Sequence, residues 1–273
     1  MKIENKYTHV VWLSGMPRSG TNWLSQIFAS SPQVRLKLCP LFSYEFKNLL
    51  DESSLAKDWI VLFDNVYKTK SEYLDQDYLR KRGLVPQFPV KNEYPEYLVI
   101  KSTRFHNLVP HILELLEGIQ FIHIVRHPCA VIYSWITNAR EFPQGADPIK
   151  EWKSGKCRKT GPGEFWGFDD WKFVNSQALG LRARFPGRFK IIRYEDLVSN
   201  TFAVAKDMFN FIGLSMHQQT EEFIYQSHSK HDINKRSVYK HKILNNEWMK
   251  GLDPSIISEC MNDLAGTDLE QYC

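Results

Sequence analysis

Residues 10–30, VVWLSGMPRSGTNWLSQIFAS, combine glycines, an arginine and hydroxyl side chains in a pattern suited to holding an anion. Gly15 and Gly20 are separated by four residues, as in a phosphate-binding loop. Backbone N–H groups in such a turn, together with the positive end of a following helix, attract negative charge. Arg18 adds a permanent positive charge. The loop also supplies three polar side chains, Ser19, Thr21 and Asn22.

The loop differs from the nucleotide-hydrolysing version at one decisive position. Thr21 stands where ATP and GTP enzymes carry the lysine that reaches the outer phosphates, and Asn22 follows it. An anionic ligand is therefore expected, but ordinary ATP chemistry is disfavoured. A nucleotide or small-molecule kinase with a degenerate loop is the alternative, and it predicts binding of ATP with magnesium.

A second polar pair follows an apolar run, in QFIHIVRHPCAVIYSWI. Pro128 suits the first turn of a helix, and His127 before it is disfavoured in helical geometry. The strand is thus expected to stop near Arg126 and a helix to begin at about Pro128. This places Arg126 at the carboxyl end of a strand and Ser134 in the second turn of the helix.

The elements that must position these residues alternate along the chain. Strands are predicted at His9–Gly15, Glu96–Ser102, Gln120–Arg126 and Arg188–Tyr194, with helical patterns between them. Such alternation predicts an α/β fold, with a central parallel β-sheet flanked by helices. Ligands of open α/β sheets bind at the carboxyl ends of the strands, where Gly15 and Arg126 both fall.

The composition excludes several classes of protein. The 273 residues are 43% hydrophobic and carry a formal charge of +4, which is ordinary globular composition and too weakly basic for gripping a duplex. Five scattered cysteines favour neither a disulfide framework nor a zinc site. No secretion signal or membrane span is evident, so we expect a cytoplasmic protein that binds no nucleic acid and no membrane.

One domain over 1–273 is expected, with a long surface excursion at about 141–171 that is rich in Gly, Pro, Lys and aromatic residues. Loops of that length are usually lids or binding loops. The basic stretch from Lys230 to Lys242 allows a third hypothesis, a non-catalytic module for nucleic acids or other anions. No RNA- or DNA-binding motif accompanies those charges, which disfavours it.

The segment MPRSGTNWL resembles the 5′-phosphosulfate loop of sulfotransferases that use 3′-phosphoadenosine 5′-phosphosulfate (PAPS), with Asn22 in place of the usual Thr or Ser. Arg126 and Ser134, eight residues apart, match that family's 3′-phosphate pair, and YEDL at Tyr194 matches a third element. The resemblance implies a P-loop NTPase-like fold and PAPS as donor. It assigns the donor to Pro17, Arg18, Ser19, Gly20, Thr21, Asn22, Trp23, Arg126, Ser134 and Tyr194.

The resemblance also implies transfer of a sulfuryl group by in-line displacement to a hydroxyl or amine of a small molecule or sugar, without a required metal. Arg18 would neutralise the leaving oxygen, and Lys101 matches the family's lysine after a strand. Thr103 stands where cytosolic members place a catalytic histidine. The stretch is closer to the K-x-x-R version, which makes Arg104 the counterpart.

The proton acceptor is left open between His106, which follows the strand, and Glu45 in CPLFSYEF, because several relatives use an early glutamate. HKILNNEW resembles the family's C-terminal basic loop, which implies that Lys242, together with His241 or Lys240, closes over the 3′-phosphate. A homodimer is possible for this family, although its dimer motif has no clear copy here. His123, inside an apolar strand, is interpreted as structural.

Overall fold

The computed structural model describes residues 7–232, 234, 237–239 and 246–273. Within them lies a five-stranded parallel sheet. Its strands are β1 (His9–Ser14), β2 (Val34–Leu38), β3 (Tyr97–Ser102), β4 (Ile119–Val125) and β5 (Phe189–Arg193). The spatial order is β2-β3-β1-β4-β5. Strands β2 and β3 therefore lie on one side of β1, and β4 and β5 lie on the other side.

Helices connect the strands and cover both faces of the sheet. They are α1 (Thr21–Ala29), α2 (Ala56–Lys68), α3 (Asp77–Arg80), α4 (Val109–Leu115), α5 (Pro128–Ile136), α6 (Pro148–Glu151), α7 (Gly167–Arg184), α8 (Tyr194–Ser199), α9 (Thr201–Phe211), α10 (Gln218–Ser229), α11 (Glu247–Gly251) and α12 (Pro254–Leu264). None of the helices in the described part of the chain is long and apolar enough to cross a membrane.

The central strand shows why the sheet is covered on both sides. Successive side chains of a strand point to opposite faces. Val11 and Leu13 of β1 accordingly pack in one cluster with α1 and α9, whereas Trp12 packs in the other cluster with α2 and α4. A strand buried on both faces must be apolar at every position, which is what the sequence HVVWLS nearly provides.

The predicted fold class is confirmed, and the four predicted strands lie within about one residue of the observed ones. Helix α5 begins at Pro128 as expected, and the side chain of His127 caps it by accepting a hydrogen bond from the Cys129 N–H at 3.2 Å. The sequence analysis missed the edge strand β2. Its sequence VRLKL alternates in polarity, but only over five residues.

His123 in β4 is structural, as interpreted from the sequence. Its ring lies between the Ser14 hydroxyl at 2.8 Å and the Asn175 side-chain oxygen at 3.0 Å. Burial lowers the pKa of His123 to about 4. A neutral imidazole that bonds at both nitrogens links β1, β4 and α7 without a buried charge.

The segment at 141–171, which we call the lid, is more ordered than a loop. It contains α6 and a 3-10 turn at Lys156–Arg158, and its last residues form the start of α7. Its aromatic side chains at Phe142, Trp152 and Phe168 are buried. Aromatic burial anchors the lid to the rest of the protein.

Candidate functional site

A cleft of about 710 Å³ opens at the carboxyl ends of β1, β3 and β4. Its lining comes from the loop after β1 with the start of α1, the segments after β2 and β3, α3 with the residues before it, α5, the lid, the start of α8 and the C-terminal region. Ten of the predicted site residues are in its lining: Pro17, Arg18, Gly20, Thr21, Asn22, Trp23, Lys101, Arg126, Ser134 and Tyr194. The structure therefore brings these ten residues together around one cleft.

The loop between β1 and α1 has the geometry of an anion cradle. Gly20 adopts φ 91°, and a Cβ added there would lie 2.5 Å from the Tyr194 ring, so only glycine fits. Arg18 adopts φ 74°, which is uncommon for a residue with a side chain. Ser19 is buried, and its hydroxyl has no hydrogen-bond partner among the described residues. An unsatisfied buried hydroxyl beside the start of a helix suits a bound anion.

The two predicted anion sites are adjacent across this loop. An Arg126 N–H donates to the Arg18 carbonyl at 2.9 Å, and its guanidinium lies 4.5 Å from the centre of the Tyr194 ring. The Arg18 Nε–H donates to the Ser134 hydroxyl at 3.0 Å. Arg18 and Arg126 thus face one space from two strand ends, so an anion between them would meet two permanent positive charges.

Lys101, at the end of β3, joins the same group of cations. It is 6% exposed, and its ammonium donates to the side-chain oxygen of Asn22 at 2.7 Å. Burial lowers the pKa of Lys101 to about 8, with Cys39 and Glu141 acting against that shift. Asn22, the departure from the family pattern, therefore serves as an acceptor that fixes Lys101 in the cleft.

Aromatic residues close other parts of the cleft. Trp23 is only 3% exposed, and its Nε1–H donates to the Ser227 hydroxyl at 3.0 Å, so it is a packed wall residue. Trp248 lines the cleft and stacks on His127 with 4.3 Å between ring centres. The predicted contributions of Lys242, His241 and Lys240 lie outside the described residues.

Neither candidate for the proton acceptor is among the residues that line the cleft. His106 is 1% exposed, packs against Phe165 and His123, and is not part of the cleft lining. Burial lowers its pKa to about 3, so the ring is neutral but enclosed. Glu45 is exposed outside the lining, where a hydrogen bond from Ser71 lowers its pKa. Their distance from the lining gives neither side chain a contact with the cleft in this structure.

Glu141, at the start of the lid, is a cleft carboxylate that the sequence analysis did not select. Its Oε2 lies 3.4 Å from the Arg18 Nη1, and that oxygen is buried without a hydrogen bond among the described residues. The available signal was its position, seven residues after Ser134 and just past the end of α5. That signal is weak, because a local sequence pattern does not show where a loop packs against the rest of the protein.

Arg104 lies in the cleft lining, but its charge is already paired. It forms a hydrogen-bonded ion pair with Glu164 of the lid, and the two side chains are 12% and 3% exposed. Its guanidinium also covers the Phe42 ring at 3.6 Å. Arg104 therefore holds the lid against the segment after β3.

Comparison with solved structures finds sulfotransferase folds. A mouse sulfotransferase, SULT7A1, complexed with PAP is 13% identical, with 96% of this chain and 87% of that chain covered and a TM-score of 0.54. The sulfotransferase domain from the curacin biosynthetic pathway is 19% identical, with 94% and 97% covered and a TM-score of 0.53. A retinol dehydratase in a complex with retinol and PAP is 14% identical, with 97% and 84% covered and a TM-score of 0.53.

At these identities the solved structures show the fold alone, and the search of curated proteins gave no match. The family model described as "Sulfotransferase family" matches residues 11–218, most of the chain. That span runs from β1 into α10 and includes the loop at Gly15, Arg126 with Ser134, and Tyr194. The chain belongs to the sulfotransferase family.

Proposed function

We propose that this protein transfers a sulfuryl group from PAPS to a hydroxyl or amine of a small-molecule or sugar acceptor. The observation that carries the proposal is the convergence of Arg18, Lys101 and Arg126 on one glycine-containing loop at the strand ends. PAPS bears anionic groups on both sides of its ribose. A site that selects it needs charge-assisted contacts at two neighbouring positions.

In this proposal, different residues bind the two ends of the donor. Thr21, at the start of α1, and the cradle at Gly20 hold the 5′-phosphosulfate, with Ser19 supplying its unpaired hydroxyl. Arg126 and Ser134 hold the 3′-phosphate. PAPS supplies an activated sulfuryl group whose bond to the 5′-phosphate can break.

Arg18 and Lys101 stabilise the charge that grows on the departing oxygen of adenosine 3′,5′-bisphosphate. Because these cations are fixed before the reaction, they need little reorganisation in the transition state. The acceptor oxygen or nitrogen attacks sulfur in line as the bond to the phosphate oxygen breaks.

Glu141 takes the proton released by the acceptor. Its carboxylate lies in the cleft beside Arg18, whereas His106 and Glu45 do not line the cleft. The Oε2 atom of Glu141, which has no hydrogen bond among the described residues, is placed to accept a proton as the new bond to sulfur forms. The roles assigned to the individual residues are part of this proposal.

Two measurements on the purified protein test the proposal: transfer of labelled sulfate from PAPS to a panel of phenols, alcohols, sugars and amines, and calorimetric binding of adenosine 3′,5′-bisphosphate. We expect binding without magnesium, and we expect Arg126→Ala to weaken it about tenfold or more, since a charge-assisted hydrogen bond is worth about 1.5–3 kcal/mol. Lys150→Ala, an exposed change on the lid, is the control. Uptake of ATP with magnesium, without binding of the bisphosphate, would overturn the proposal.

A further inference from the structure

The Arg158 guanidinium has no hydrogen bond or ion pair among the described residues. Arg158 lines the cleft, and its Nε atom is buried without a hydrogen-bond acceptor. The guanidinium contacts the Trp166 ring, whose centre lies 5.5 Å away. A buried donor without an acceptor is costly, so its retention calls for a ligand that supplies the acceptor.

The other partly buried cations of the cleft are already engaged. Arg104 pairs with Glu164, Arg18 bonds Ser134 and lies beside Glu141, Lys101 bonds Asn22, and Arg126 bonds the Arg18 carbonyl. Arg140 also lines the cleft, but it is exposed to solvent. Arg158 is therefore the partly buried cation of the described lining that has charge to offer a further anion.

The lid holds Arg158 firmly. It ends the 3-10 turn that begins after Gly155, whose φ of 63° and close approach to the Trp166 carbonyl exclude a side chain. The Cys157 N–H donates to a Glu151 oxygen at 2.9 Å, and Lys159 pairs with Asp170 at 2.7 Å. A guanidinium on a braced turn loses little freedom on binding, which favours recognition over a structural role.

Aromatic rings accompany Arg158 in the lining of the cleft. The Trp166 ring of the lid lies beside its guanidinium, and Phe42 and Tyr73 line the same cleft with 6.2 Å between their ring centres. Rings of this kind suit a flat or apolar body, and a single guanidinium among them suits one carboxylate or sulfate on that body.

We propose that Arg158 binds an anionic group of the acceptor, so that the substrates are acidic molecules with a flat or apolar body. The inference rests on the proposed function, because it concerns the acceptor of the same reaction. The anionic group of the acceptor is the required feature, and a carboxylate and a sulfonate both supply it.

Matched compounds test the inference by binding as well as by turnover. 4-Hydroxyphenylpropionic acid, its methyl ester and the corresponding sulfonate are titrated into protein saturated with adenosine 3′,5′-bisphosphate, and labelled sulfate transfer to each is measured. We expect the two anions to bind about tenfold or more tightly than the ester, as for a charge-assisted hydrogen bond. Arg158→Ala should remove that preference and leave the ester unchanged, whereas Lys150→Ala should preserve it.

The possible outcomes distinguish failure of the Arg158 assignment from failure of the proposed function. Failure to bind adenosine 3′,5′-bisphosphate would overturn the proposed function itself. Normal bisphosphate binding with no preference for the anions, or with no binding of any of the three compounds, would overturn only the assignment of Arg158. Weakened bisphosphate binding in Arg158→Ala would place Arg158 in the donor site and would also overturn it. Partial rescue by Arg158→Lys would support a role of the charge.

Discussion

Lys101 is the residue whose charge should depend most on what the cleft contains. In the free protein burial lowers its pKa to about 8, so the amine begins to lose its proton near that pH. A bound anionic donor favours the protonated form and raises this pKa. Binding near pH 8 and above must then take up a proton, and affinity must fall as the pH rises through about 8.

Calorimetry of adenosine 3′,5′-bisphosphate binding in two buffers with different ionisation enthalpies measures this uptake. We expect the binding enthalpy to depend on the buffer near pH 8. Near pH 6 we expect Lys101 to contribute a much smaller buffer dependence. Lys101→Met should remove the difference, and Lys150→Met, at an exposed lid lysine, should retain it. A proton uptake that persists in Lys101→Met would assign the effect to another group.

Glu141→Gln tests the proton acceptor. The substitution keeps the size of the side chain and removes its basicity, so turnover with a hydroxyl acceptor should fall about 10²–10⁴-fold. The dissociation constant of adenosine 3′,5′-bisphosphate should stay within about twofold if Glu141 acts only on the acceptor.

The separation of turnover from donor binding distinguishes this role from a merely structural one, because a structural change at the cleft would weaken both. Glu117→Gln, at an exposed glutamate, is the matched control. Unchanged turnover in Glu141→Gln would show that the proton leaves by another route.

The sequence analysis selected the cleft residues of the loop after β1 and of α5 but missed those contributed by the lid, and the positions of these residues show why. The loop from Pro17 to Trp23 is contiguous, and Arg126 and Ser134 are fixed relative to each other by one strand end and one helix turn. Glu141 and Arg158 reach the cleft through the path of the lid. That path is set by tertiary packing and leaves no periodic pattern in the sequence.

At the scale of elements, the lid depends on the partly buried ion pair between Arg104 and Glu164. Removing one partner leaves the other charge uncompensated in a partly desolvated place, which destabilises the folded protein. Glu164→Gln should therefore lower the melting temperature and increase amide hydrogen exchange in the lid. Glu117→Gln should change neither, and unaltered exchange in Glu164→Gln would show that the aromatic residues alone hold the lid.

The pH dependence of this pair has a definite sign. Burial acts to raise the pKa of Glu164, but hydrogen bonds from Thr160 and Arg104 outweigh it, so its pKa is lowered. The stabilisation is fully present above the ordinary glutamate pKa. It is lost as the pH falls through the lowered value of the folded protein. Lid exchange should accordingly increase under acidic conditions.

Strand β2 shows how tertiary context overrides local composition. Its Lys37 is 2% exposed, which an alternating VRLKL pattern does not suggest. The ammonium is held by the Thr69 carbonyl and by Asp75, at 2.7 Å from the carboxylate. Because those partners come from a segment more than thirty residues away, the sequence around β2 does not reveal that its lysine is buried.

At the scale of the whole molecule, ligand binding and stability are linked. At a free concentration one hundred times its dissociation constant, adenosine 3′,5′-bisphosphate should stabilise the folded protein by about 2.7 kcal/mol. For a chain of this size that is a rise of about 5–10 °C in the melting temperature. Arg126→Ala should reduce the rise at the same concentration. An equal rise in the variant would remove Arg126 from the donor site.

The stack of Trp248 on His127 has a consequence for biosynthesis. These two rings lie 121 positions apart, and His127 begins the helix that carries Ser134. A nascent chain that has emerged only as far as α10 already has every strand of the sheet, yet it lacks one wall of its cleft. The ability to retain a nucleotide should thus be acquired only after Trp248 has been synthesised, later than the five strands of the sheet.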